Sequence, residues 1–143
     1  LQNKFRLISE TKNINILFNE VPGFQITGDK DLLRRVFSNV LDNAIKFTSS
    51  GGSVSITLTD RGNDIVTGIK DTGIGISEEH LEKIFDRFFR VDTSRSRDTG
   101  GIGLGLNICK NVVELHKGNI DVKSKTGIGS TFEVILPKNI TNS

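Results

Sequence analysis

The sequence has no methionine, no tryptophan and no tyrosine, with one cysteine and two prolines in 143 residues. A lone thiol, Cys109, excludes an internal disulfide framework, a C-x-x-C redox pair and a cysteine-based metal cluster. No apolar run approaches the ~18 residues of a membrane-spanning helix, and no secretory signal pattern is visible. Together with the single cysteine, this gives the expectation of a reducing compartment. Translation starts at methionine, so its absence leads us to expect a piece of a longer protein. Charge of one sign is also lacking. The formal net charge is +2, too weak a field to favour a nucleic-acid partner. Two common phosphate loops are missing as well. No G-x-x-x-x-G-K-[ST] string occurs, and no G-x-G-x-x-G follows a strand.

What is present suits one soluble domain with a real core: 35% hydrophobic and 25% charged residues. Leu1 to Lys12 reads as the tail of a helix or a linker. Asn15 to Glu20 and Gln25 to Gly28 read as short strands around Pro22-Gly23. Asp29 is placed to N-cap a long helix reaching about Phe47, with Leu33, Val36, Phe37, Val40, Leu41 and Ala44 at helical spacing. Ser53 to Asp60 and Asp64 to Asp71 alternate, and pair as a hairpin across Arg61-Gly62-Asn63. Ser77 to Phe85 reads as a short helix. Leu104 to Lys117 reads as a second long helix, closed by Gly118. Asn119 to Ser124 and Ser130 to Leu136 form a last hairpin across Thr126-Gly127, ended by Pro137. The order β-β-α-β-β-α-α-β-β predicts an α/β (α+β) fold: a two-layer sandwich of a mixed, mostly antiparallel sheet with helices on one face. Val91 to Gly100 is polar, without apolar period, and reads as a lid loop.

Five stretches carry possible chemistry, and each has a plain alternative. T-G-G-I-G-L-G-L-N-I-C-K, Thr99 to Lys110, opens a helix through glycines. It suits a phosphate, but by itself is equally a helix-entry turn. D-T-G-I-G-I, Asp71 to Ile76, puts a carboxylate beside close-approach backbone. It suits an exocyclic amine, with Gly73 and Gly75 leaving room for a ring, or is a turn with a capping aspartate. In N-V-L-D-N-A-I-K-F-T, Asn39 to Thr48, the side chains of Asn39, Asn43 and Lys46 share a helix stripe roughly 60° wide, away from the apolar arc. Two amides and an ammonium can face a metal-bound triphosphate, since Mg²⁺ needs few protein oxygens. The alternative is a solvated face. I-F-D-R-F-F-R, Ile84 to Arg90, is core or the base of a lid. G-I-G-S-T-F-E-V, Gly127 to Val134, is a turn.

In their order and spacing, the five stretches resemble the catalytic ATP-binding domain of sensor histidine kinases, over about Ile14 to Pro137. The resemblance implies a Bergerat-type α/β sandwich with ATP and Mg²⁺ as cofactors. It implies residues 1–13 as a linker from a missing dimerisation domain, 14–137 as the catalytic domain and 138–143 as a tail. It assigns Mg²⁺ coordination to Asn43, with Asn39 and Lys46 nearby, and places Phe47 beside the nucleotide. Asp71 becomes the adenine-binding carboxylate, supported by Gly73, Gly75 and Ile76. Arg90 becomes a lid-edge residue reaching the terminal phosphate. Gly101, Gly103, Leu104 and Gly105 shape the lid and the phosphate contact, and Thr131 supplies a hydroxyl on the adenine side. Asn43, Lys46 and Arg90 are the implied catalytic set.

The γ-phosphate then goes to a histidine on the parent's dimerisation domain, and onward to a response regulator. The phosphoacceptor motif itself is absent from this chain. His80 and His116 stand in contexts that suit structural or surface roles. The implied setting is cytoplasmic, including the cytoplasmic part of a membrane-anchored sensor, with no membrane or nucleic-acid contact by this domain and a monomeric isolated state. Relatives of the same fold that hydrolyse ATP, and anti-sigma serine kinases, tend to carry a glutamate four residues before the metal-binding asparagine. Here that position is Asn39, whose amide cannot act as a general base. A degenerate nucleotide-binding module is the remaining alternative.

Overall fold

The computed structural model describes residues 7, 10–19, 28–86 and 105–138. Their elements in chain order are β1 (Asn15–Asn19), α1 (Lys30–Lys46), β2 (Ser53–Asp60), β3 (Asp64–Asp71), α2 (Glu78–Leu81), α3 (Gly105–Leu115), β4 (Asn119–Lys125) and β5 (Gly129–Pro137). The expected strand Gln25 to Gly28 falls on residues outside those described, apart from Gly28 in a bend.

Helix α1 forms where the sequence supplies a cap and a period. Asp29 is extended, and its Oδ1 accepts the Leu32 N–H at 3.0 Å, satisfying one of the unpaired donors of the first turn. Val36, Val40, Leu41, Ala44 and Ile45 are buried at helical spacing. Burial of each larger side chain contributes on the order of 1.5–3 kcal/mol. The helix stops at the Phe47 cap. The expected helix from Ser77 to Phe85 is shorter, four residues in α2. Beyond it the backbone bonds close three residues back, Lys83 to His80 and Asp86 to Lys83, so the chain continues in turns.

The five strands form one sheet in the order β1-β2-β3-β5-β4. β1 runs parallel to β2, and the other neighbours are antiparallel. The parallel pair needs a crossover, and α1 lies in it. Both predicted hairpins form. Alternation sets the faces: Val54 and Ile56, Ile69, Phe132, Val134 and Leu136, and Ile120 share one face and pack with α1 and α3 in a single apolar cluster. The other face carries Thr57, Lys70, Thr131, Glu133, Asp121 and Lys123. Helices on one side of a mixed sheet is the architecture predicted. No helix among the described residues is long and apolar enough to cross a membrane.

Cys109, Val112 and Val113 bury α3 against α1. The Cys109 thiol reaches the Val36 carbonyl at 3.6 Å, and desolvation pushes its pKa up to about 11, so it is an apolar packing residue rather than a nucleophile. His116 joins the opposite ends of the same pair of helices. Its Nδ1 lies 2.8 Å from the Val112 carbonyl, and its Nε2 lies 3.0 Å from the Asp29 N–H. A carbonyl only accepts and an N–H only donates, so Nδ1 donates to Val112 and Nε2 accepts from Asp29. The structural role expected for His116 is the one it plays. His80 lies in α2 and pairs with Glu79 at 3.7 Å.

The end of α3 corrects one expectation. The left-handed residue is Lys117, with φ of 62°, and not Gly118. The Gly118 N–H bonds the Val113 carbonyl and the Lys117 N–H bonds the Glu114 carbonyl, the paired closure of a Schellman end. Gly118 is needed for a different reason: a Cβ there would stand 2.2 Å from the Ile135 carbonyl oxygen. The two neighbours should therefore respond oppositely to substitution. Lys117→Gly relieves a left-handed side chain and should raise stability in urea denaturation by about 0.5–1 kcal/mol. Gly118→Ala should lower it by about 1–3 kcal/mol through overpacking. Equal effects of the same sign would contradict this helix end.

Candidate functional site

Asp71 ends β3 with only 4% of its surface exposed. Its Oδ1 accepts the Gly73 N–H at 2.9 Å and the Ser130 N–H at 3.3 Å. No group among the described residues bonds its Oδ2. Burial raises its pKa above the ordinary value, while the two backbone N–H groups act in the opposite direction. The result is a buried carboxylate with one oxygen fixed by the protein and the other left to accept.

The loop that follows is wedged between two parts of the fold. The Ile74 N–H bonds the Phe47 carbonyl at the end of α1, and the Gly127 N–H of the β4–β5 turn bonds the Ile74 carbonyl. The Ile76 N–H donates to Ser124 Oγ at 2.7 Å, and its side chain packs on the core. The glycines serve this wedge. A Cβ at Gly73 would lie 2.2 Å from the Phe47 oxygen, and one at Gly75, where φ is 76°, would lie 2.3 Å from the Lys125 oxygen. The sequence suggested that these glycines leave room for a ring. Their direct requirement is close approach to the protein's own backbone, which brings the end of α1 against the end of β3.

On α1 the amide stripe is not a solvated face. Asn39 and Asn43 are half-buried, and only Lys46 is exposed. Asn39 stands beside the first residue of α3: a Cβ at Gly105 would lie 3.9 Å from its amide. The same amide acts on the Cys109 thiol to lower its pKa, against the larger effect of burial. Asn43, one turn further on, makes no side-chain hydrogen bond among the described residues. The described part of helix α3 therefore begins beside this stripe, with its N-terminal end turned toward Asn39. That start is itself anchored, since Asn107 Nδ2 donates to the Phe85 carbonyl at 3.0 Å. Phe85 in turn meets Phe132 edge-on at 6.4 Å and lies under Lys110. Ile84 and Phe85 are thus core, as the plain reading of that stretch had it.

Lys12, in the helical residues 10–12, donates from Nζ to the Ile45 and Lys46 carbonyls. Burial lowers its pKa. A cation is favourable at a helix C-terminus, and this one ties the segment before β1 to the end of α1. Sequence reasoning missed it, because nothing local marks a lysine that caps a helix 33 residues away.

The structure sets Asn39, Asn43 and Lys46 along the helix that ends at Phe47, puts Gly73 of the Asp71–Ile76 loop against that end, and puts Gly105 beside Asn39. It does not bring in Thr131. That residue pairs with Lys70 and Lys123, on the sheet face away from the helices. The hydroxyl beside Asp71 is Ser130, its register partner on β5. The signal was in the sequence: if Phe132, Val134 and Leu136 face inward, period two turns Ser130 inward and Thr131 outward. Arg90, Gly101, Gly103, Leu104 and the loop Val91 to Gly100 lie outside the described residues.

Residues 28–140 match the family model described as histidine kinase-, DNA gyrase B- and HSP90-like ATPase. Sensor protein SrrB of Staphylococcus aureus strain MRSA252 is 43% identical over 135 residues, which is 94% of this chain and 23% of SrrB. The chain thus spans about a quarter of that relative's length. The solved structure of the mycobacterial sensor histidine kinase MprB superposes with a TM-score of 0.81 at 30% identity, covering 95% of this chain and 90% of that one. The histidine kinase ThkA, solved in complex with the response regulator protein TrrA, superposes at 0.77 with 27% identity over 96% of this chain and 38% of that one. The chain belongs to the histidine kinase-, DNA gyrase B- and HSP90-like ATPase family, and within it to the catalytic domains of sensor histidine kinases.

Proposed function

We propose that this domain binds ATP with its adenine on Asp71 and its phosphates between Asn43 and the start of α3. It then donates the γ-phosphate to a histidine on a dimerisation domain of the same parent, for relay to a response regulator. The observation that carries this reading is Asp71: a buried carboxylate whose free oxygen accepts, where adenine has an exocyclic amine to donate. A charge kept this far out of water is costly unless a donor completes it. The complex of ThkA with a response regulator supports the downstream partner. We place the domain in the cytoplasm on the same family grounds.

The amides on α1 fit magnesium. The half-buried Asn43 offers a carbonyl oxygen with no partner among the described residues, and a magnesium ion on a triphosphate needs one or two such ligands. Asn43 would hold it, with Asn39 and Lys46 on the same stripe. Bound there, it would supply charge neutralisation on the phosphates. The chain's own contribution is positioning: Asp71 orients the base, and the N–H groups at the start of α3 face the anion. Arg90 at the edge of the lid is assigned the terminal phosphate, and Gly101, Gly103, Leu104 and Gly105 the turn that carries the lid. With Asn39 at the general-base position, water is not activated there, which favours transfer over hydrolysis.

Two substitutions test this reading. Asp71→Asn keeps an oxygen for the Gly73 and Ser130 N–H groups but puts an NH₂ donor where the free acceptor was. It should erase the preference for ATP over GTP in equilibrium binding. It should also raise the melting temperature of the nucleotide-free domain at neutral pH. The sign follows from linkage. A carboxyl whose pKa is raised on folding destabilises the native state once ionised, and that penalty disappears as pH falls below the ordinary aspartate range. The stability gain should therefore shrink on acidification. Equal ATP and GTP affinities in the unsubstituted protein would remove Asp71 from base recognition. Asn43→Ala should abolish magnesium-dependent phosphoryl transfer to a supplied dimerisation domain with the circular-dichroism spectrum unchanged. Retained transfer would take Asn43 out of the site.

A further inference from the structure

We propose that Ser124 is a positioning residue that fixes the polarity of the base-recognition site, so that it takes a 6-amino purine and rejects a 6-oxo purine. This rests on the reading that Asp71 receives the base. Ser124 is one strand removed from Asp71 and acts through Ser130. The three residues lie in register across β3, β5 and β4, so their side chains share the helix-facing side of the sheet.

The inference comes from counting protons. Ser124 Oγ has three short contacts: the Ile76 nitrogen at 2.7 Å, the Gly129 carbonyl oxygen at 2.9 Å and Ser130 Oγ at 2.8 Å. A hydroxyl has one proton to give and two lone pairs. The Ile76 N–H can only donate, so it takes one lone pair. The Gly129 carbonyl can only accept, so it takes the proton. The remaining lone pair faces Ser130 Oγ, and that contact is favourable only if Ser130 donates. The opposite assignment would send the Ser124 proton to Ser130 and leave two oxygens facing each other at 2.9 Å with no proton between them. One arrangement therefore satisfies all three contacts, and in it the Ser130 proton is committed to Ser124.

Ser130 is 7% exposed and has no freedom to donate elsewhere while that chain is intact. Its backbone N–H is committed as well, to Asp71 Oδ1. Toward the base, the Asp71–Ser130 pair then offers acceptors only: the free carboxylate oxygen and the serine lone pairs. An amino group meets both favourably. A carbonyl at the same place meets no donor and loses its hydration without return. Ser124 holds the second acceptor in that state through a fixed chain of donors rather than through contact with the ligand. A short apolar-polar alternation in β4 hides this role, because Ser124 has no sequence neighbour that marks it.

The test compares ATP with ITP, which differ at the 6-position, by calorimetry on the 143-residue chain at constant magnesium. Ser124→Ala frees the Ser130 proton, which can then serve a carbonyl. The preference for ATP should fall about three- to tenfold, as expected for one hydrogen bond, and mostly through tighter ITP binding. Ser124→Thr restores the hydroxyl and should restore the preference. A purely structural role would weaken both nucleotides alike and leave the ratio fixed. Should Ser124→Ala fail to fold, Ser130→Ala removes the second acceptor directly and should lower the same ratio. An unchanged ratio in these variants, while Asp71→Asn collapses it, would overturn the role of Ser124 alone. An unchanged ratio in Asp71→Asn would overturn the base reading beneath it.

Discussion

Removing the Asp71 carboxylate from water, with only one of its oxygens paired among the described residues, is the constraint around which this domain is arranged. Burial works against ionisation, and the Gly73 and Ser130 N–H groups work for it. Neither donor is free to be elsewhere. Gly73 packs against the carbonyl of Phe47, which accepts the next N–H, that of Ile74, so the end of α1 fixes the loop beside the carboxylate. Ser130 is pinned by the β3–β5 register and by Ser124 behind it. Gly129 belongs to the same contact, because a Cβ there would lie 2.0 Å from the Asp71 carbonyl oxygen. The close packing of backbone at the end of the sheet makes a polar, water-poor corner, where a hydrogen bond is strong and an unmade one is costly.

The same packing couples the corner to the helices. The α1 residues that follow Asn43 end at Phe47, whose carbonyl receives Ile74. Asn39 lies beside the start of α3, and Asn107 and Phe85 hold that start in place. At the far ends of these helices His116 spans from α3 to the Asp29 cap. Lys12 joins the residues before β1 to the last carbonyls of α1. One helix therefore carries the amide stripe, supports the carboxylate corner and receives the incoming chain. A displacement of residues 10–12 would be felt first at the end of α1, a few residues from Asn43.

Most of the fold was legible because local signals agreed with one another. The Asp29 cap, the 3.6-residue period of α1 and the alternation of β2 each point to the element that forms. The misses have physical causes. Gly118 looked like the left-handed helix end, but sequence cannot tell a residue that needs positive φ from one that needs space, and here Lys117 bends while Gly118 makes room. Gly73 and Gly75 raised the same ambiguity. The resemblance assigns the adenine-side hydroxyl to Thr131, whereas the β3–β5 register sets Ser130 beside Asp71. One residue of register separates the two faces of a strand, and parity from Phe132 would have settled it. Lys12 and Ser124 were not legible at all, since their partners are distant in the chain and only the fold brings them together.

Base recognition by Asp71 and phosphate recognition from the Asn43 stripe are tested most directly in one calorimetric set. It titrates non-hydrolysable ATP and GTP analogues into the chain, each with and without magnesium. The expected result is binding of the adenine analogue alone, substantially weakened when magnesium is withdrawn. Equal binding of the two analogues, or affinity for the adenine analogue that ignores magnesium, would contradict it.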